Sequence, residues 1–175
     1  MDWYSTVFEL IDMRSFSNLW YWIALAVVWS SASHWVLGVP YDLIHSAGRH
    51  GGQRQADLED LVRINCNRMI HISEVAGLWM MAIVCAVLSG LAVLGFAYWV
   101  EFAQAVFLIL FPLGLVGLLS LHTARSITAR GLDGDALRKR LRLHRLLVQL
   151  IGLCAIFVTA MWGMWQNMNA GALGI

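Results

Sequence analysis

Eleven of the twelve Lys and Arg residues lie in just two stretches, four between Arg49 and Arg68 and seven between Arg125 and Arg145, and long apolar runs flank each stretch. Lys and Arg beside membrane spans are retained on the cytoplasmic side during insertion. A chain with this pattern is therefore expected to fold as a polytopic membrane protein whose two basic segments share one compartment. The remaining cation, Arg14, falls on the other side, so both termini are expected outside the cytoplasm.

Composition points to the same class. The chain is 59% hydrophobic and 13% charged, against about 45–50% and about 25% in soluble domains. Its mean hydropathy is +0.66. A bilayer core about 30 Å thick takes about 20 residues per helix, so the spans consume most of the 175 residues and the chain reads as one membrane domain, 1–175. The net charge of +1 gives no reason to expect a nucleic-acid partner.

The periodicity predicts an all-α fold: a four-transmembrane-helix bundle preceded by an amphipathic interfacial helix within residues 1–17. Spans are expected at about 18–39, 72–94, 102–123 and 146–168, with cytoplasmic segments at 40–71 and 124–145. Pro40 ends the first span by lacking a backbone donor, and Trp20, Tyr21, Trp22, Trp35 and Tyr41 place rings at both headgroup levels. The glycine-bearing stretch 41–56 reads as a mobile loop, and Asp57 with Asp60 as a helix start. From there one helix runs into the second span, its first turns projecting from the bilayer. Gly95 to Glu101 is the turn before the third span, in which Pro112 is expected to kink the helix. Gly131, Asp133 and Gly134 read as turn and cap before a second projecting helix.

Four histidines, His34, His71, His122 and His144, fall one to a span at the cytoplasmic end. Such imidazoles could ligate haem iron, the magnesium of a bacteriochlorophyll, or a transition metal. A histidine within a turn of a span end can equally reach water or headgroups with no cofactor, and none is required. Glu74 shares a helix face with His71; it is a proton-relay candidate or, the preferred reading, pairs with His71, Arg68 or a basic residue of the second segment. The run Arg138, Lys139, Arg140, Arg142 and Arg145 could attract anionic lipids, or pair with Asp57, Glu59 and Asp60 on the other projecting helix. Cys66, Cys85 and Cys154 form no paired framework, and the chain holds no CxxC, P-loop, GxGxxG or nucleophile-elbow motif.

The opening MDWYSTVFELIDMRSFSNLWYWIALAVVWSSASHWVLGVPYD and the ending LRLHRLLVQLIGLCAIFVTAMWGMWQNM resemble a small bacterial integral membrane family labelled a component of the Suf iron–sulfur assembly complex. The resemblance implies iron–sulfur assembly work in the cytosol, yet two of the three cysteines sit within spans and no cluster of thiols is present. A shorter stretch, RMIHISEVAGLWMMAI, is similar to haem-binding spans of the protoporphyrinogen-oxidase and copper-resistance type, which would make His71 an axial ligand.

With few buried polar groups and no catalytic set, the residues are read as those of a non-enzymatic accessory, assembly or stabilising subunit. Its partners would be other transmembrane proteins of a larger bacterial inner-membrane complex, respiratory or photosynthetic. The alternatives are a small haem- or pigment-binding redox protein using the four histidines, and a proton-coupled carrier centred on Glu74.

Overall fold

In the computed structural model, residues 15–172 are described, with side chains to residue 168; the interfacial helix expected before Ser15 lies outside them. The described chain is almost entirely helical. Three helical segments are long and apolar enough to cross a membrane, Gly52–Ala97, Glu101–Arg130 and Gly134–Met168.

After a 3-10 turn at Ser15–Ser17, helix α1 spans Leu19–His34. The Asn18 side chain caps it by accepting from the Trp20 N–H at 3.0 Å. The first span was expected to reach Val39, but α1 stops after 16 residues, about 24 Å at 1.5 Å per residue. It is the one expected span that falls short of crossing length. The chain instead forms a hairpin, β1 (Trp35–Val36) pairing antiparallel with β2 (Val39–Pro40). Leu37 and Gly38 turn it with φ of +52° and +75°, as a two-residue primed turn requires. Leu37 accepts this unfavourable backbone because its side chain is buried. Val36, Leu37 and Val39 looked like span residues, but protein rather than lipid covers them.

The stretch expected to be a mobile loop holds helix α2, Tyr41–His50, whose Ile44 and Ala47 are buried while Asp42, Arg49 and His50 face out. Gly51 and Gly52, with φ of +58° and +54°, make the corner into α3, Gly52–Ala92, which starts five residues before the expected Asp57. At 41 residues it is about 60 Å long, so its polar first half projects as a stalk. A π turn at Val93–Ala97 ends it, and Tyr98 to Val100 lead into α4, Glu101–Arg130. Gly131 caps α4 in the left-handed region at φ +56°, as its sequence position predicts, and α5 runs Gly134–Ala172.

The main core lies at the stalk end, where Val36, Val39, Ile44, Leu58, Val62, Cys66, Ala124, Ile127, Leu137 and Leu141 bury one another. A smaller cluster of Leu25, Trp29 and Ala155 joins α1 to α5 among the spans. There α5 is shaved to glycine: a Cβ at Gly152 would meet the Trp29 ring at 2.7 Å, and one at Gly163 would meet Phe16 at 3.2 Å. The two ends of α1 are tied to opposite ends of the bundle. Phe16 donates its N–H to Glu101 at the start of α4, at 2.7 Å, while Arg145 Nε donates to the Ser33 carbonyl at 3.2 Å.

Candidate functional site

Only one of the four histidines is inside the protein. His144 is buried on the inner face of α5, with Nδ1 3.1 Å from Thr123 Oγ1 and Nε2 3.4 Å from Ser120 Oγ, both on α4. Ser120 also donates to the Val116 carbonyl at 2.8 Å. Two hydroxyls can satisfy one N–H and one ring lone pair, so this imidazole is fully occupied as a helix-to-helix connector. His34, His71 and His122 are exposed. His34 makes an edge contact with Trp35, at 5.8 Å between ring centroids. Among the described residues no group of three or more His, Cys, Asp or Glu side chains is arranged to hold a metal ion. Haem or bacteriochlorophyll ligation would therefore fall to outward-facing rings.

Glu74 is exposed, and its carboxylate makes no hydrogen bond or ion pair among the described residues. The nearby guanidinium goes elsewhere: Arg125 Nη2 donates to Ser73 Oγ at 3.2 Å. Pro112 is buried within α4, and the helix continues through it to Arg130.

The two stalks do meet, through a different pair of groups than charge alone suggests. Asp60 pairs with Arg63 of its own helix at 2.8 Å. Arg138 is taken by Asp135 and by the Gln55 side-chain carbonyl. A second inter-stalk bond, beside that from Arg138 to Gln55, is made by Glu59, whose Oε1 accepts from Gln55 Nε2 of its own helix at 2.6 Å and from the Gly134 N–H of α5 at 2.9 Å. A carboxylate there also complements the positive end of α5. The Gln55 hydrogen bond first, and the Gly134 N–H second, hold the Glu59 carboxyl below its ordinary value of 4.5. Burial alone pushes the Cys66 thiol up to about 11, so it is an inert stalk residue. Beside it, a cavity of about 430 Å³ is floored by Val62, Cys66, Ile127 and Leu137.

A polar centre that sequence reasoning missed lies at the opposite end. Gln104, with no exposed surface, donates to the Gly95 carbonyl at 2.7 Å and accepts from Trp162 Nε1 at 2.9 Å and Gln166 Nε2 at 2.6 Å. It thereby joins the π turn, α4 and α5. The Gly95 Cα approaches so closely that a Cβ would lie 3.0 Å from the Gln104 backbone nitrogen. Phe96, Trp162 and Trp165 pack around it in edge and tilted contacts at 4.9–5.5 Å. The signal was available in the lone glutamine of the run EFAQAVF, because an amide in a span is kept only where it finds partners.

The least covered of the three crossing segments is that of α3. Only 6% of its most apolar section is buried, against 17% and 22% for the other two crossing segments. Leu78 is 84% exposed, and Val75, Trp79 and Ile83 also stand free. Ala82, Ala86 and Gly90 recur every fourth residue, all exposed, and nothing lies within 4 Å of a Cβ at Gly90. No family model matches the chain, and neither a curated protein nor a solved structure matches it.

Proposed function

We propose that the protein is a non-enzymatic accessory or stabilising subunit of a larger bacterial inner-membrane complex, and that α3 is where partner transmembrane helices dock. The observation that carries this reading is the contrast along one helix. The stalk of α3 is locked into the main core by Leu58, Val62 and Cys66, while its crossing section is almost uncovered by its own chain. Helix association in lipid depends on close backbone approach at small residues, and Ala82, Ala86 and Gly90 offer such a row. A respiratory or photosynthetic assembly suits a subunit with no reaction chemistry of its own.

In this reading α1 is a fourth, short crossing, with the hairpin completing its cytoplasmic end. Its ties to Glu101 at one end and Arg145 at the other support that placement. Eleven cations on the stalk side then put both termini in the periplasm. A periplasmic reporter fused after Ile175 is expected to be active, and a cytoplasmic one silent.

The docking role is tested by purifying wild type and Gly90→Leu from native membranes in mild detergent. The wild type is expected to bring down a defined set of membrane proteins that the variant loses. Because a Cβ at that position would meet nothing within 4 Å beyond its own helix backbone, the variant should unfold with the wild type. Undiminished recovery of the same partners with Gly90→Leu would refute the assignment.

A further inference from the structure

We propose that Arg145, with Arg142 beside it, binds the phosphate of an anionic phospholipid of the cytoplasmic leaflet. Among the described residues, only Arg63 and Arg138 of the eleven cations at the stalk end pair with a protein carboxylate. Arg145 is the one held most firmly in place without neutralisation. Its Nε donates to the Ser33 carbonyl in the last turn of α1, at 3.2 Å, and its guanidinium carbon lies 3.6 Å from the centre of the Tyr41 ring. His45 stacks on the other partner of that arrangement, at 6.5 Å from Tyr41 between ring centroids.

These contacts use the Nε–H and the face of the guanidinium plane. Its two Nη groups have no hydrogen-bond partner among the described residues. A guanidinium so fixed presents a planar fork, and a tetrahedral phosphate is the anion that such a fork recognises in bidentate fashion. Arg142, exposed and three residues before Arg145 on α5, just under one turn away, is back-bonded to the Arg138 carbonyl at 3.4 Å and adds a second charge.

The height of the site selects the source of the phosphate. Ser33 and Arg145 lie where α1 ends and the apolar section of α5 begins. Trp35, two residues past Ser33, is 54% exposed, as an indole in the headgroup layer is. The cytoplasmic leaflet is the anionic one. A lipid phosphate reaches this position without leaving its layer, and each cation at the surface adds to its capture. The inference stands apart from the docking role of α3, since it concerns the opposite ends of different helices.

The test is native mass spectrometry of the full chain released from nanodiscs containing equal phosphatidylglycerol and phosphatidylcholine. Wild type is expected to retain phosphatidylglycerol preferentially, and Arg142→Gln with Arg145→Gln to retain less than half as much. Arg130→Gln with Lys139→Gln, which removes two unpaired exposed cations elsewhere, is expected to retain the wild-type amount. Equal losses in the two double variants would reduce the effect to a diffuse field and overturn the site. Displacement of the lipid by millimolar inorganic phosphate would overturn the lipid as its source. If the Arg145 variant does not fold, Tyr41→Leu keeps every charge but removes the seat of the guanidinium; unchanged retention there would likewise overturn the proposal.

Discussion

Replacing Gln104 by Leu should destabilise the bundle more than any other single polar-to-apolar change among the spans. The amide makes three side-chain hydrogen bonds, to the Gly95 carbonyl and from Trp162 and Gln166, and all three are removed together. Hydrogen bonds between membrane helices average about 0.6 kcal/mol each, so the bonds alone amount to roughly 2 kcal/mol. The Gly95 carbonyl is additionally left without its partner at the π turn, and a buried polar group so orphaned costs about 1–3 kcal/mol. The expected total is thus about 3–5 kcal/mol. Trp162→Phe removes one donor and leaves Gln166 on the same oxygen, so it should cost no more than about 1 kcal/mol of hydrogen bonding. Reversible unfolding in mixed micelles, followed by tryptophan fluorescence with each variant against its own baseline, measures both. A Gln104→Leu variant within 0.5 kcal/mol of wild type would refute the idea that this amide holds the far end together.

Gly152→Ala drives a methyl to 2.7 Å from the Trp29 ring; overpacking of this kind costs about 1–3 kcal/mol, and the same unfolding assay should register it while Gly114→Ala, in open space, leaves stability unchanged. Because the folded-state pKa of Glu59 is depressed, its contribution is present above the ordinary value of 4.5 and is lost as pH falls below it toward the folded value. Hydrogen exchange at the Gly134 amide should therefore speed up on acidification below about pH 4.5 in wild type beyond its intrinsic pH dependence, and Glu59→Gln should remove that excess. Charge reversal at Asp60 and Arg138 together should cost the sum of the single reversals within about 0.5 kcal/mol, since the two side chains have different partners. A rescued double variant would place them in direct contact after all.

The coarse architecture is legible in the sequence because two different signals agree there. Apolar runs define α3, α4 and α5, and the cations mark which ends share a side. The turn after Gly131 is readable because a left-handed cap demands glycine. The first span misleads for a physical reason: Val36, Leu37 and Val39 are as apolar as lipid-facing residues, and composition does not say whether lipid or protein will cover them. The loop that proved to be α2 hides its helix because Ile44 and Ala47 are the only two deeply buried residues of a ten-residue segment rich in polar side chains. Among the candidate site residues, spacing puts all four histidines at one end and His144 on one helical face with Leu137, Leu141 and Val148, but gives no such stripe for the other three. Only His144 lies on the stripe of Leu137, Leu141 and Val148 that turns inward. Glu74 was expected to find a cation because cations are plentiful nearby, yet Arg125 is satisfied by a hydroxyl.

The placement of the two kinds of cohesion follows from the solvent on either side of the headgroups. Where the stalks stand in water, burying Leu58, Leu137 and Leu141 removes apolar area from water, and the main core forms there. Within the bilayer, lipid tails cover leucine as well as another helix does, so apolar faces have no reason to close. The crossing sections are held instead by directional and steric devices: the Gln104 hub, the His144 connector, and the glycine seats for Trp29 and Phe16. All of these lie on α1, α4 and α5 or at the π turn, and none lies on the crossing section of α3. Truncating the stalk core, as in Leu141→Ala, should therefore cost about 2–5 kcal/mol and loosen α3 from the rest, while α4 and α5 remain associated through their polar contacts. The helix whose crossing section is least covered is thus positioned from its two ends, the stalk core and the π turn, which leaves its membrane face uncovered by its own chain.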